Sequence, residues 1–152
     1  MCDDFGFYWA HRAMHQYRWL YRRVHKYHHE AAAPVPIEFI YAHPLDALAG
    51  GVGTVLGFAV ALLAFGEISA WTLWSGVAAR LAHELLIHSG LRSVIGAYVP
   101  FFGIAEHHAR HHERPTSGNY ASTFTLWDRL FRTESNLTAR RPGHALPATD
   151  GG

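Results

Sequence analysis

The chain has 152 residues, the length of one ordinary domain, which excludes a multidomain enzyme with separate cofactor and substrate modules. Apolar residues make up 49% and charged residues only 16%, against about 25% charged in a typical soluble domain, so the composition leans toward membrane. A formal charge of +1 argues against nucleic-acid binding by charge, and the single cysteine, Cys2, excludes an intramolecular disulfide, a cysteine-built zinc finger and an iron–sulfur site.

From Asp4 to Glu30 no acid intervenes, and Arg12, Arg18, Arg22, Arg23 and Lys26 lie among Tyr8, Trp9, Tyr17, Trp19, Tyr21 and Tyr27. This density of rings and cations predicts helix at the membrane–water interface, on the cytoplasmic side, with a soluble basic helix as the alternative. No signal peptide is expected. Residues 31–44, with Pro34, Pro36 and Pro44, read as a connector that stops the helix near Glu30. Residues 47–66 then give 20 uncharged positions, just long enough at about 1.5 Å per residue to cross a hydrocarbon core of about 30 Å. Gly53 and Gly57 form a small-xxx-small pair that lets a second helix approach. Gly66 and Glu67 supply a turn. Residues 68–79 continue uncharged, before Arg80, His83 and Glu84 make the second helix half lipid-facing and half functional. Pro100 and Gly103 break the pattern, a short polar helix is expected over 105–114, and residues 115–119 form a turn. Residues 120–131 are apolar and aromatic, and the last 20 residues are expected to be mobile.

Histidine is the outlier, with 13 imidazoles matching the 13 Lys and Arg. They cluster as His11/His15, His25/His28/His29 and His108/His111/His112. Offsets of three and four on a helix bring side chains to one face, about 5–6 Å apart at Cβ, so HxxxH and two copies of HxxHH are ligand geometries. Eight imidazoles exceed what one tetrahedral zinc uses, which implies two metals. His43 before Pro44 reads as a turn cap, and His107 and His144 as bystanders.

Two alternatives fall to geometry. His83 to His88 tempts a zinc-protease HExxH reading, but an offset of five turns the second histidine by about 140°. The Glu-x-x-His pair by which ferritin-like proteins hold two metals is absent. One constraint also follows. On a single straight helix the first two clusters would lie roughly 20 Å apart, so the chain must bend between them, around Tyr17 to Leu20, although residues 16–24 hold no Pro or Gly.

The text DFGFYWAHR at 4–12, FIYAHP at 39–44, HSG at 88–90, EHHARHH at 106–112 and NYASTFTLWDRLF at 119–131 resembles the fatty acid hydroxylase/sterol desaturase superfamily, closest to its C4-methylsterol oxidase branch. The resemblance covers residues 4–133 and implies an amino-terminally truncated diiron membrane domain over 1–133, followed by a mobile polar tail over 134–152. The expected fold is all-α: an integral membrane protein with one transmembrane hairpin, from about Leu45 to Ile87, and a cytoplasmic histidine-rich helical cap. The implied enzyme is a lipid hydroxylase or monooxygenase carrying two iron ions. It would use O2 and NAD(P)H-derived electrons, delivered by a cytochrome b5-like or other redox partner, on a lipid C–H bond, foremost a sterol C4-methyl group. A fatty acyl or carotenoid hydroxylase or desaturase, or a non-catalytic metal-binding fragment, is the alternative. The membrane would be the endoplasmic reticulum in a eukaryote or the inner membrane in a bacterium. Ligands implied by position are His11, His15, His25, His28, His29, His88, His108, His111 and His112, with His83 as a tenth. Asn119, Tyr120, Trp127 and Asp128 are the residues expected to orient ligands or pack over them, Asp128 as a histidine-orienting carboxylate, an ion-pair partner or a helix cap. Two positions depart from the branch: Ala109 stands where Asp is common, and Arg132 replaces the usual Gly after WDRLF.

Overall fold

A computed structural model describes residues 1–30, 39–89, 98–102 and 105–135. Among them the regular structure is helical, apart from one isolated bridge pairing Phe102 with Phe124. In chain order the helices are α1 (Cys2–Gln16), α2 (Arg18–Arg23), a 3₁₀ segment (His25–Glu30), α3 (Pro44–Phe65), α4 (Ala70–Ile87), α5 (Ala105–Glu113) and α6 (Leu126–Leu130). The tail from residue 136, His144 within it, Gly103, and residues 31–38 of the expected connector lie outside the described residues.

The required bend falls at Tyr17, whose extended backbone (φ −88°, ψ 105°) separates α1 from α2. Val24 makes a second departure (φ −123°, ψ −63°) before the 3₁₀ turn that carries the second histidine cluster. No local breaker is needed, because the bend brings His11 and His15 back onto His25 and His29 and tertiary contacts override propensity. Residues three apart eclipse in a 3₁₀ turn, and His25 and His28 accordingly stack at 5.4 Å between ring centroids.

The start of α3 follows from three residues: His43 Nδ1 accepts from the Leu45 amide at 3.2 Å, Pro44 fixes φ in the first turn, and Asp46 sits at the positive end of the dipole. His43 thus caps, as its position before Pro44 suggests. Gly66, left-handed at φ 78°, closes the helix, and Ser69 Oγ accepts from the Thr72 amide at 3.1 Å to open α4.

Among the described residues α3 is the one helix long and apolar enough to cross a membrane. Its 22 residues span about 33 Å at 1.5 Å per residue. The 18-residue α4 does not qualify by the same measure, because Arg80 and Glu84 occupy its second half. The small-xxx-small pair of α3 receives α1 rather than α4. A methyl group on Gly53 would sit 1.7 Å from the Asp3 carbonyl oxygen, and one on Gly6 would sit 2.6 Å from the Gly53 Cα. The two backbones therefore touch, and Thr54 Oγ1 donates to Asp3 at 2.6 Å across the same seam.

Burial is inverted relative to a water-soluble domain. Leu48, Val55, Leu63, Phe65, Trp71 and Trp74 are exposed on α3 and α4, while the interior holds eight or more imidazole, carboxylate and amide side chains around a small apolar core of Tyr8, Tyr120 and Ala121. An apolar exterior suits lipid, and a polar interior needs partners of its own.

Candidate metal centre

Nine of the ten sequence-predicted histidines converge as two adjoining groups. His11, His15, His25, His29 and His111 offer ring nitrogens within 4.8 Å of one another, and so do His28, His88, His108 and His112. The first group draws on α1, the 3₁₀ segment and α5; the second on the 3₁₀ segment, the end of α4 and α5. The HxxHH spacing divides its members between the two: His29 belongs to one group and His28 to the other, as do His111 and His112. The groups abut, with the rings of His29 and His112 4.6 Å apart.

His83 belongs to neither group. Five residues before His88 on the same helix, it points to another side and packs its ring on Phe102 at 5.3 Å. His107 likewise faces away, its Nε2 3.4 Å from Asp128.

The ring nitrogens meet as lone pairs. Nδ1 of His11 donates to the Tyr120 carbonyl at 2.7 Å, Nδ1 of His25 to Asp46 at 2.9 Å, Nδ1 of His111 to the Gly118 carbonyl at 2.7 Å and Nδ1 of His88 to the Glu84 carbonyl at 2.8 Å. Each partner oxygen only accepts, so the proton sits on Nδ1 and Nε2 is bare. Yet Nε2 of His11 lies 3.1 Å from that of His25, and Nε2 of His108 lies 2.9 Å from that of His88. The remaining Nε2 pairs run 3.1–3.4 Å, and the buried Nε2 of His111 has no hydrogen-bond partner.

These separations match the edges of a coordination polyhedron: bonds of about 2.1 Å give nitrogen–nitrogen edges of about 3.0 Å for octahedral and about 3.4 Å for tetrahedral geometry. A cation held by each group would turn mutual repulsion into ligation, so the residues fit two metal ions. The protonation states agree. Burial first, and the neighbouring imidazoles second, hold His11, His28, His29, His108 and His111 far below the usual histidine range, and lower His15 to about 2. All six are therefore neutral at physiological pH and able to ligate.

The residues expected around the ligands act mostly through one loop. Asp128 is fully buried and accepts from the Tyr120 and Ala121 amides, each at 2.9 Å, and from Thr133 Oγ1 at 2.7 Å. It orders the backbone at 118–121, whose Gly118 and Tyr120 carbonyls hold His111 and His11; its effect on those ligands is one step removed. It caps no helix of its own. Asn119, left-handed at φ 60°, clips the loop by donating to the His107 carbonyl at 3.2 Å and accepting from the Ser135 amide at 2.7 Å. Gly118 (φ 108°) is required, because a Cβ there would sit 2.0 Å from the Thr133 carbonyl oxygen. The Tyr120 ring packs on His15 at 5.2 Å and on His111 at 5.7 Å. Trp127 packs with Phe5 and Phe131.

Sequence reasoning missed Asp46, and it placed Glu84 in the functional half of the second helix without a role. Asp46 was legible in principle, as the one acid in the first turn of an otherwise uncharged spanning helix; the Glu84 contribution is a backbone oxygen that no side-chain pattern announces. Glu84 also joins Arg80, Ser122 and Asp3 in a polar chain beside the centre, in which Arg80 Nη1 meets the Glu84 carboxylate and Ser122 Oγ at 3.2 Å. A cavity of about 680 Å³ reaches the histidines: His11, His25, His28 and His108 form part of its wall, and Phe7, Met14, Phe39, Val55, Phe58 and Leu81 make much of the rest apolar.

Comparison with known proteins agrees with this geometry. The fatty acid hydroxylase family model matches residues 1–133. A Dictyostelium discoideum protein provisionally named a methylsterol monooxygenase is 44% identical over 133 residues, covering 86% of this chain and 47% of the relative. Methylsterol monooxygenase 1 of Rattus norvegicus is 42% identical over 87% of this chain and 43% of its own length. A very-long-chain aldehyde decarbonylase of Oryza sativa subsp. indica is 37% identical over 98% of this chain and 54% of its own. The chain spans about half the length of these relatives, and no solved structure matches it significantly. With a family model matched over most of its length and the histidine motifs folded together, the chain belongs to the fatty acid hydroxylase family.

Proposed function

We propose that this chain carries the diiron centre of a membrane-bound lipid monooxygenase, with a sterol C4-methyl group as its foremost substrate. The observation that carries the reading is the convergence of nine imidazoles in two metal-sized groups, four of which, His11, His25, His28 and His108, reach the wall of a largely apolar cavity. His11, His15, His25, His29 and His111 would hold one ion, and His28, His88, His108 and His112 the other. When bound, a pair of irons supplies activation of O2 for oxidation of an unactivated C–H bond: one oxygen atom enters the substrate, the other leaves as water, and two electrons and two protons are consumed.

The protein's own part is positioning. Asp46 and the 118–121 loop fix the Nδ1 protons, so that the Nε2 lone pairs point inward before any ion arrives. Phe7, Met14 and Phe58 offer hydrocarbon surface to a lipid and keep water from the centre. The electrons would come from NAD(P)H through a cytochrome b5-like or similar donor.

The sterol assignment rests on the motif text and on the name of the rat relative; the rice relative is named for a reaction of long-chain aldehydes, so an acyl substrate is the alternative within the same site. The topology that suits this reading is a hairpin of α3 and α4 with both ends on the cytoplasmic side, because every histidine cluster must reach one centre. The exposed Trp71 and Trp74 near the α3–α4 turn suit the opposite interface. Single cysteines replacing Lys26 and Arg110, in a Cys2→Ser background, should label from the same side, and one replacing Glu67 from the other. Labels at 26 and 110 on opposite faces overturn the hairpin. The decisive experiment is single-turnover oxidation by the iron-loaded protein, and by a version extended at its amino terminus, with a panel of sterols, fatty acyl lipids and long-chain aldehydes. Oxygen-dependent hydroxylation of a sterol is expected; no O2 consumption and no product from either version overturns the oxygenase reading in favour of structural metal binding.

A further inference from the structure

One imidazole of the histidine centre, His25, has its outer N–H hydrogen-bonded to a carboxylate. In the five-histidine half three of the outer ring nitrogens are anchored: His11 by the Tyr120 carbonyl, His111 by the Gly118 carbonyl and His25 by the Asp46 carboxylate. Only the last anchor carries a full negative charge. In the four-histidine half Nδ1 of His88 donates to the Glu84 carbonyl, with the Glu84 carboxylate 3.7 Å away, beyond hydrogen-bond reach; one buried Nδ1 in each half, that of His29 and that of His108, has no hydrogen-bond partner. A ligating imidazole whose outer N–H is held by a carboxylate is a stronger donor and loses less rotational freedom on binding. Both effects favour the half that contains His25.

We infer that Asp46, in the first turn of the spanning helix, is a positioning residue that makes the five-histidine half the tighter metal site and the first to fill. The geometry is direct. The carboxylate is 7% exposed and lies 2.9 Å from His25 Nδ1, whose ring carries its other nitrogen 3.1 Å from both His11 Nε2 and His29 Nε2. Because Asp46 belongs to α3 and His25 to the 3₁₀ segment, the contact also locks the membrane helix to the centre, so that helix and ion stabilise each other's position. The charge is affordable in this place: it sits at the positive end of the α3 dipole, next to a cation once the site is filled.

This inference rests on the two-ion reading above, and the test separates the two. The metal-free chain, reconstituted in nanodiscs, is titrated anaerobically with Co(II), whose d–d absorption reports each ion as it binds. Two equivalents in two resolved steps are expected, with His111→Ala removing the tight step and His108→Ala the weak one. Asp46→Ala should weaken the tight step by about 100-fold and leave the weak step in place; Asp46→Asn, which keeps an oxygen for the His25 N–H but loses the charge, should weaken it by about 10-fold and shift its spectrum. Helix content by circular dichroism serves as the folding control, and Asp46→Asn, the conservative change, carries the test if the alanine variant unfolds. Two equivalents bound in one step, or an Asp46→Asn chain with unchanged affinity and spectrum, overturns the role of Asp46 and leaves the two-ion reading standing. A single equivalent in the wild type overturns both.

Discussion

The helix α3 and the helix α5 invert each other. α3 is apolar and exposed, burying only Asp46 and Gly53; α5 reads AEHHARHHE and buries His107, His108, His111 and His112. Neither arrangement would survive in a soluble domain, where α3 would seek the core and α5 the surface. Each would be stable in an environment of its own: lipid for the first, bound cations for the second. Hydropathy marked the helix that is long and apolar enough to span a membrane and would have mislocated the interior. The interior is dictated by coordination chemistry, so its stability should depend on the ions and on protons, while that of α3 depends on backbone fit and lipid.

Removing the ions is the most severe way to test this contrast. With the metals stripped, nine bare imidazoles face one another without compensation, and a coordinated structural ion can contribute on the order of 10 kcal/mol. Chelation should therefore abolish cooperative unfolding of the cap, monitored by Trp127 and Tyr120, while the helicity of α3 persists in nanodiscs. Cooperative unfolding that is insensitive to chelation would remove the ions from the stability of the cap.

Acid should act on the same half of the molecule, less severely. The folded-state pKa values of His11, His28, His29, His108 and His111 lie well below the ordinary range, and that of His15 near 2, through burial and mutual proximity. Below about pH 6.5 the unfolded chain thus binds more protons than the folded one, so stability is full above that value and falls as pH drops toward the folded values. Metal retention should fall in parallel. Unfolding temperatures measured from pH 7.5 to 4 on metal-loaded protein should decline steadily, and a rise on acidification would contradict neutral buried imidazoles.

The membrane half is sensitive to shape instead. Gly53→Leu forces a side chain into the Asp3 carbonyl and should separate α1 from α3 at a cost of about 1–3 kcal/mol, dragging His11 and His15 from the centre. Gly51, two residues away, has open space where a Cβ would go. Gly51→Ala should leave the fold intact or firmer by about 0.5–1 kcal/mol. Thermal unfolding and metal content of the two variants compare the positions directly. Equal behaviour would mean that the α1–α3 contact does not locate the first histidine pair.

Much of this was legible in the chain itself, where one periodicity sufficed. The candidate spanning helix, the turn at Gly66, the capping by His43 and eight of the ten proposed ligands follow from composition and from three- and four-residue offsets, while His88 came from the family resemblance alone. The bend at Tyr17 was required by distance alone, although no residue there breaks a helix. What stayed hidden depends on contacts between distant segments. Asp46 meets a histidine 21 positions earlier, and the Gly53 seam chose α1 over the adjacent α4, whereas the five-residue offset had already set His83 off the face of His88. The role of Asp128 was half visible: a buried carboxylate near the ligands was expected, but not that it would act through backbone carbonyls.

The smallest expected effect concerns the departure at Arg132. The residue adopts a left-handed backbone, φ 54°, in the turn after α6 where Phe131 and Arg132 close back onto Trp127 and Arg129. For a residue with a Cβ this conformation costs about 1–2 kcal/mol, whereas glycine adopts it freely and gives back part of that gain as unfolded-state entropy. The position adjoins Thr133, whose hydroxyl donates to Asp128 and whose carbonyl accepts from the Asn119 amide, so strain here bears on the clamp that orders the 118–121 loop. Arg132→Gly should accordingly stabilise the cap by about 0.5–1 kcal/mol and leave α3 untouched. Arg132→Val, branched at Cβ, should do the reverse, because branching makes the left-handed region still less favourable. Chemical denaturation of metal-loaded Arg132→Gly, Arg132→Val and wild type resolves the order. If glycine is the least stable of the three, the turn is held by the arginine side chain, and the backbone argument fails.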